Sequence, residues 1–207
     1  QWTEINPKVE PTGFDQRENG SLEVKVHQNV KDLQGNLMFD GLVKHIYTAD
    51  PSAHVFNGKI YIYPSHDVDA GEAFDDLGSH FAMEDYHVLS MDSPTAEAVD
   101  NGLALHVNDV PWAAKQMWAP DAAEKDGKYY LFFPAKDHEG IFKIGVAISN
   151  SPVGPFTPQP EAIKKSLSID PAVFKDDDGS LYHLTVRKPD KAFVIGRTRE
   201  YIHRKSI

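Results

Sequence analysis

His45-Ile-Tyr-Thr-Ala-Asp-Pro-Ser-Ala-His-Val-Phe-Asn-Gly-Lys-Ile-Tyr-Ile-Tyr-Pro-Ser-His-Asp67 decides the fold, because its pattern occurs three times in the chain. An acidic residue beside a proline is followed by a short apolar segment, a turn ending in Gly, and an aromatic-rich strand. The same order stands in Trp118-Ala-Pro-Asp-Ala-Ala-Glu-Lys-Asp-Gly-Lys-Tyr-Tyr-Leu-Phe-Phe-Pro134 and in Ser168-Ile-Asp-Pro-Ala-Val-Phe-Lys-Asp-Asp-Asp-Gly-Ser-Leu-Tyr-His183. Asn57-Gly58, Asp126-Gly127 and Asp178-Gly179 each favour a tight hairpin turn, since both residue types tolerate positive φ. The turn glycines are 69 and 52 residues apart, which four-stranded propeller blades with loops of varying length can absorb.

Further strands are predicted over Tyr86–Ser90 and Phe142–Ser149, the latter closed by the Pro/Gly turn Ser151–Phe156. No helical periodicity of any length is present, and Pro94–Val99 is too short to stand alone as a helix. The expected fold class is therefore all-β, a β-propeller. Residues 1–44 are polar and interrupted by Pro7, Pro11, Gly13, Gly20, Gly35 and Gly41; only Leu22–Val26 alternates as a strand should, so this part reads as an N-terminal arm. Residues 45–186 read as blades one to three. The segment 187–207 carries a net charge of +5 against −15 for everything before it, and reads as a divergent basic tail.

Composition narrows the function. With 41% hydrophobic and 25% charged residues, the 207-residue chain is an ordinary globular one. A net charge of −10 argues against a nucleic-acid partner, which needs clustered basic surface. No run of about 18 apolar residues suggests a membrane span. The chain opens at Gln1 without Met, as an exported mature protein would, so an extracellular or periplasmic location is expected. Cysteine is absent, which leaves packing to supply stability.

Asp50, Asp121 and Asp170 hold related places in the three repeats, each just before an inner strand. In a propeller such residues converge at one end of the central channel. Convergent carboxylates are the apparatus of glycosidic bond cleavage, with one as base toward water and another as acid toward the leaving oxygen. A single Asp-Pro more often caps a turn; three in register favour chemistry. Of the tryptophans, Trp118 beside the Asp121 motif suits a sugar-stacking platform, and for Trp112 core packing is an equal reading. The ten histidines fall in no His-Glu-x-x-His or Cys/His array, so no protein-built zinc site is expected. Asp176–Ser180 reads as a hairpin turn rather than a calcium loop, since its Gly comes too early. No Gly-x-Ser-x-Gly elbow supports a serine hydrolase.

Thr48-Ala-Asp-Pro-Ser-Ala-His54, Met117-Trp-Ala-Pro-Asp-Ala122 and Ser168-Ile-Asp-Pro-Ala-Val-Phe174 resemble, in order and spacing, the first three blades of glycoside hydrolase family 43. The resemblance covers about 45 to 185. It implies a five-bladed propeller that inverts configuration at the anomeric carbon of xylosides, arabinofuranosides and related plant polysaccharides. It makes Asp50 the general base and Asp170 the carboxylate that raises the acid's pKa, with Trp118 and Asp121 beside the sugar. The family's general acid is a Glu of the fourth blade in a Glu-Gly or Glu-Ala context. Beyond Asp170 the chain has only Glu200, in Arg-Glu-Tyr-Ile, so the acid is expected to be absent and the propeller truncated. The resemblance implies no organic cofactor; a hydrated cation on the propeller axis, held by one His, occurs in some members. A carbohydrate is the expected partner, with self-association through exposed blade edges as a further expectation. Two other readings stand beside the hydrolase: a non-catalytic carbohydrate-binding propeller fragment, and an invertase-type enzyme, whose Asn-Asp-Pro-Asn-Gly motif is here replaced by Ala-Asp-Pro-Ser-Ala.

Overall fold

The computed structural model describes residues 14–16, 22–24, 42–71, 78–166, 169–177, 179, 181–187 and 192–197. The chain divides into two compact units, 1–42 and 43–207. In the first, β1 (Phe14–Gln16) and β2 (Leu22–Val24) form an antiparallel pair. Among the described residues the second contains three antiparallel sheets in chain order, and these are the blades.

Blade one is β3 (Tyr47–Phe56), β4 (Lys59–Asp67), β5 (Asp85–Met91) and β6 (Val99–His106), in that order across the sheet. Blade two has β7 (Ala113–Lys115) and β8 (Asp121–Lys125) sharing the inner edge of β9 (Lys128–Asp137), followed outward by β10 (Phe142–Ser149) and the short β11 (Thr157–Pro158). Blade three is β12 (Ala172–Lys175), β13 (Leu181–Arg187) and β14 (Ala192–Arg197). The hairpins β3–β4, β8–β9 and β12–β13 are the three repeats read from the sequence. Asn57 and Gly58 have φ of 52° and 78°, and Asp126 and Gly127 have 53° and 73°. Two successive positive values mark the type I′ turn, whose twist matches that of the flanking strands.

Pro94–Val99 forms turns and bends that lead into β6, not a helix. Strand β14 lies inside the basic segment and pairs with β13 along Tyr182–Arg197 to Arg187–Ala192.

Side chains alternate across each blade as strand geometry requires. Along β9, Tyr129, Leu131, Phe133 and Ala135 face blade one and join Tyr63, Tyr86, Val88, Leu105 and Met117 in the largest core cluster. Tyr130 and Phe132 face the other way, packing with Ile144, Val146 and, from blade three, Val173. Blade two is therefore buried on both faces. Gly145 on β10 is required by this closeness. A Cβ there would lie 2.5 Å from Phe133 Cζ and 2.6 Å from Trp112 Cζ2, with both rings fixed by their own packing. Gly145→Ala is expected to cost about 1–3 kcal/mol by overpacking. Thermal unfolding of the variant checks it, and an unchanged midpoint would show that the rings move aside.

Candidate active site

Asp50 sits on a bulge. Ala49 pairs with Ser65 and Ser52 with Tyr63, so Asp50 and Pro51 together oppose the single residue Pro64. The extra residue bends β3 and re-aims its side chain. Asp50 takes φ of 45°, a left-handed value that Asp tolerates better than most residues but that still marks local strain. Asp170 has φ of 53° and also precedes a proline, Pro171, at the entry to β12. The first and third repeats thus hold their Asp-Pro in the same unusual backbone geometry, and both aspartates are exposed.

The Asp50 charge acts on Asp170. Desolvation, and then the Asp50 carboxylate, push the Asp170 carboxyl above its usual range. Asp67, at the end of β4, is raised by the same two causes in the same order, against a smaller downward pull from the Ser65 hydroxyl and His66. Its Oδ1 is buried with no hydrogen-bond partner among the described residues. Asp50, Asp67 and Asp170 therefore form one electrostatic group. Sequence reasoning missed Asp67, whose place is set by hairpin register, with Asp67 opposite Tyr47.

In the second repeat the order is reversed to Pro120-Asp121, and the carboxylate goes elsewhere. Asp121 begins β8 and is 7% exposed. Its Oδ1 accepts from His54 Nε2 at 2.6 Å and from the Ala122 amide at 2.8 Å, and its Oδ2 accepts from the Val173 amide at 2.6 Å. His54 belongs to blade one and Val173 to blade three, so one carboxylate ties all three blades. Both of its oxygens are committed to protein donors.

Trp118 lies in the break between β7 and β8. Gln116, with φ of 59°, turns the chain there and donates from Nε2 to the carbonyls of Gly78 and Phe81. The Trp118 indole N–H donates to the Phe81 carbonyl at 2.8 Å, and its ring meets Phe142 at 4.3 Å and the edge of Phe81 at 6.0 Å. Tyr86 Oη donates to the Trp118 carbonyl at 2.6 Å. The half-buried ring is held in a single orientation, as a stacking platform for a sugar requires. Trp112 instead stacks on Phe133 at 5.9 Å and 14°, within the core. The Asp176–Ser180 turn closes through the Gly179 amide to the Asp176 carbonyl at 2.9 Å. Glu200 lies outside the described residues.

Two exposed carboxylates in electrostatic contact can activate water against an acetal carbon. Comparison with known proteins points the same way. The profile of "Glycosyl hydrolases family 43" matches residues 43–203. The chain is 66% identical over 143 residues to a xylosidase/arabinosidase 43A of Humicola insolens, covering 68% of this chain and 44% of that protein. It is 56% identical over 138 residues to a beta-xylosidase of Xylanibacter ruminicola, covering 66% and 43%. Among solved structures, a β-xylosidase/α-arabinofuranosidase from a compost microbial metagenome, crystallised with xylotriose in a calcium-free form, aligns with a TM-score of 0.68 at 68% identity, over 70% of this chain and 44% of that one. The chain thus spans about 44% of the length of such relatives.

Proposed function

The chain belongs to glycosyl hydrolase family 43, and from that membership we propose that it carries the water-activating half of an inverting hydrolase for xylose- or arabinose-containing oligosaccharides. The observation that supports this most directly is the shared geometry of Asp50 and Asp170, two Asp-Pro units with positive φ whose carboxyls interact. Asp50 is the base: as the water oxygen bonds to the anomeric carbon, its proton passes to the Asp50 carboxylate. The glycosidic C–O bond breaks on the opposite face, and the leaving oxygen takes a proton from an acid contributed outside the described residues. Configuration at the anomeric carbon inverts. Asp170 adds negative charge near the reaction centre, which disfavours ionisation of a neighbouring acid and so keeps it protonated. Trp118 offers a ring face to the pyranose. The choice of pentose rests on the relatives, which are xylosidases and arabinosidases.

The test is a panel of nitrophenyl glycosides given to a protein containing these residues. Release from the β-xyloside and the α-arabinofuranoside, with the opposite anomer formed first by proton NMR, is expected. Preference for a glucoside, or retention of configuration, would end this reading; binding of xylo-oligosaccharides without turnover would leave a carbohydrate-binding module.

A further inference from the structure

We propose that His66, Asp85 and His87, on blade one, form a binding site for a divalent transition-metal ion of the zinc type. One donor atom from each lies within 4.8 Å of the other two. Asp85 and His87 are two apart on β5 and so face the same side of the sheet. His66 comes from β4, and its ring centroid is 4.9 Å from that of His87. Two imidazoles and a carboxylate are a donor set for a borderline ion, not for calcium or magnesium, which prefer all-oxygen shells.

The second observation is the support behind the ligands. His87 donates from Nδ1 to both oxygens of Asp100 at 3.0 Å, which leaves Nε2 as the free lone pair. That carboxylate is itself fixed by His45 Nε2 at 2.7 Å and by the Gly102 amide at 2.8 Å. A carboxylate that orients the far nitrogen of a histidine is the arrangement that commonly backs metal-ligating imidazoles. The side chains of His66, Asp85, His87 and Asp100 are only 19%, 18%, 17% and 11% exposed, so the cluster is largely removed from bulk water. His66 Nδ1 donates to Asp85 Oδ1 at 2.5 Å. An ion would displace that proton and take both lone pairs. Tetrahedral zinc keeps ligand atoms roughly 3.4 Å apart, so the pair opens by about 1 Å and the third ligand closes by no more than about 1.4 Å. Spacing along the sequence hides the site, because it is assembled across strands.

Titration of chelator-treated protein with zinc, and separately with cobalt to follow its ligand-field absorption, tests the proposal. One saturable equivalent is expected, with a higher unfolding midpoint, and it should survive a large excess of calcium. His87→Ala should remove that equivalent. Asp100→Asn keeps all three ligands and should weaken binding by about 10- to 100-fold; it decides the matter if His87→Ala fails to fold. No saturable equivalent, displacement by calcium, or equal affinity in Asp100→Asn would overturn the assignment.

Discussion

Asp50→Asn is expected to lower kcat/KM for unactivated xylosides by about 10²- to 10⁴-fold, the usual worth of a general base, the role proposed for this position. Asparagine is the informative replacement. It has the shape of aspartate and accepts left-handed backbone readily, so the bulge at 50–51 and its φ of 45° survive. Alanine would add backbone strain to the loss of the base and confuse the two. The amide cannot take a proton from water, so the loss should fall on kcat and leave binding nearly unchanged. Removing the charge should also relax Asp170 toward the ordinary carboxylate range, since Asp50 is one of the two causes that raise it. Steady-state kinetics with xylobiose supply the measurement. Activity within a few-fold of the parent would remove Asp50 from the mechanism.

Asp121→Ala is expected to destabilise the fold by about 3 kcal/mol, which for a unit of this size is a fall of roughly 6–12 °C in the unfolding midpoint. The variant strips the acceptor from His54 and from the Val173 amide at once, and each donor is left without its partner in a partly buried place. These two bonds reach blades one and three, so the penalty falls on the contacts between sheets. Calorimetry of the parent and variant measures it. The alternative, that Asp121 meets the sugar, makes a different forecast: KM for xylobiose rises while the midpoint stays where it was.

Much of the architecture could be read before the structure because it is written locally. Asn57-Gly58 and Asp126-Gly127 name their turn type, and the short Ile-, Tyr- and Phe-rich runs of β4 and β9 name the strands around them. Strands such as β6 and β7 were not legible. Val99–His106 contains Asp100, Asn101 and Gly102, all poor strand formers, and is held as a strand by its pairing with β5. The carboxylates divide in the same manner. Asp50 and Asp170 follow from a repeated Asp-Pro, whereas Asp121, grouped with them by the repeat and expected beside the sugar, is committed to His54 and the Val173 amide, partners that linear spacing does not name. Asp67 and the cluster of His66, Asp85 and His87 depend on which residues of separate strands come level, a quantity that linear spacing does not contain.

The burial of blade two on both faces has a consequence for how its register is specified. In a strand with one wet face, a slip of one residue exposes the apolar set and is rejected at once. Strand β9 has apolar residues on both sides through Tyr129–Phe133, so a slipped pairing with β8 would still bury hydrocarbon against hydrocarbon. Discrimination then passes to the hairpin end, where Asp126 and Gly127 alone can take two consecutive positive φ values. Sequence drift can exchange one large apolar residue for another along the strand with little confusion of the pairing, whereas the two-residue turn has almost no synonyms.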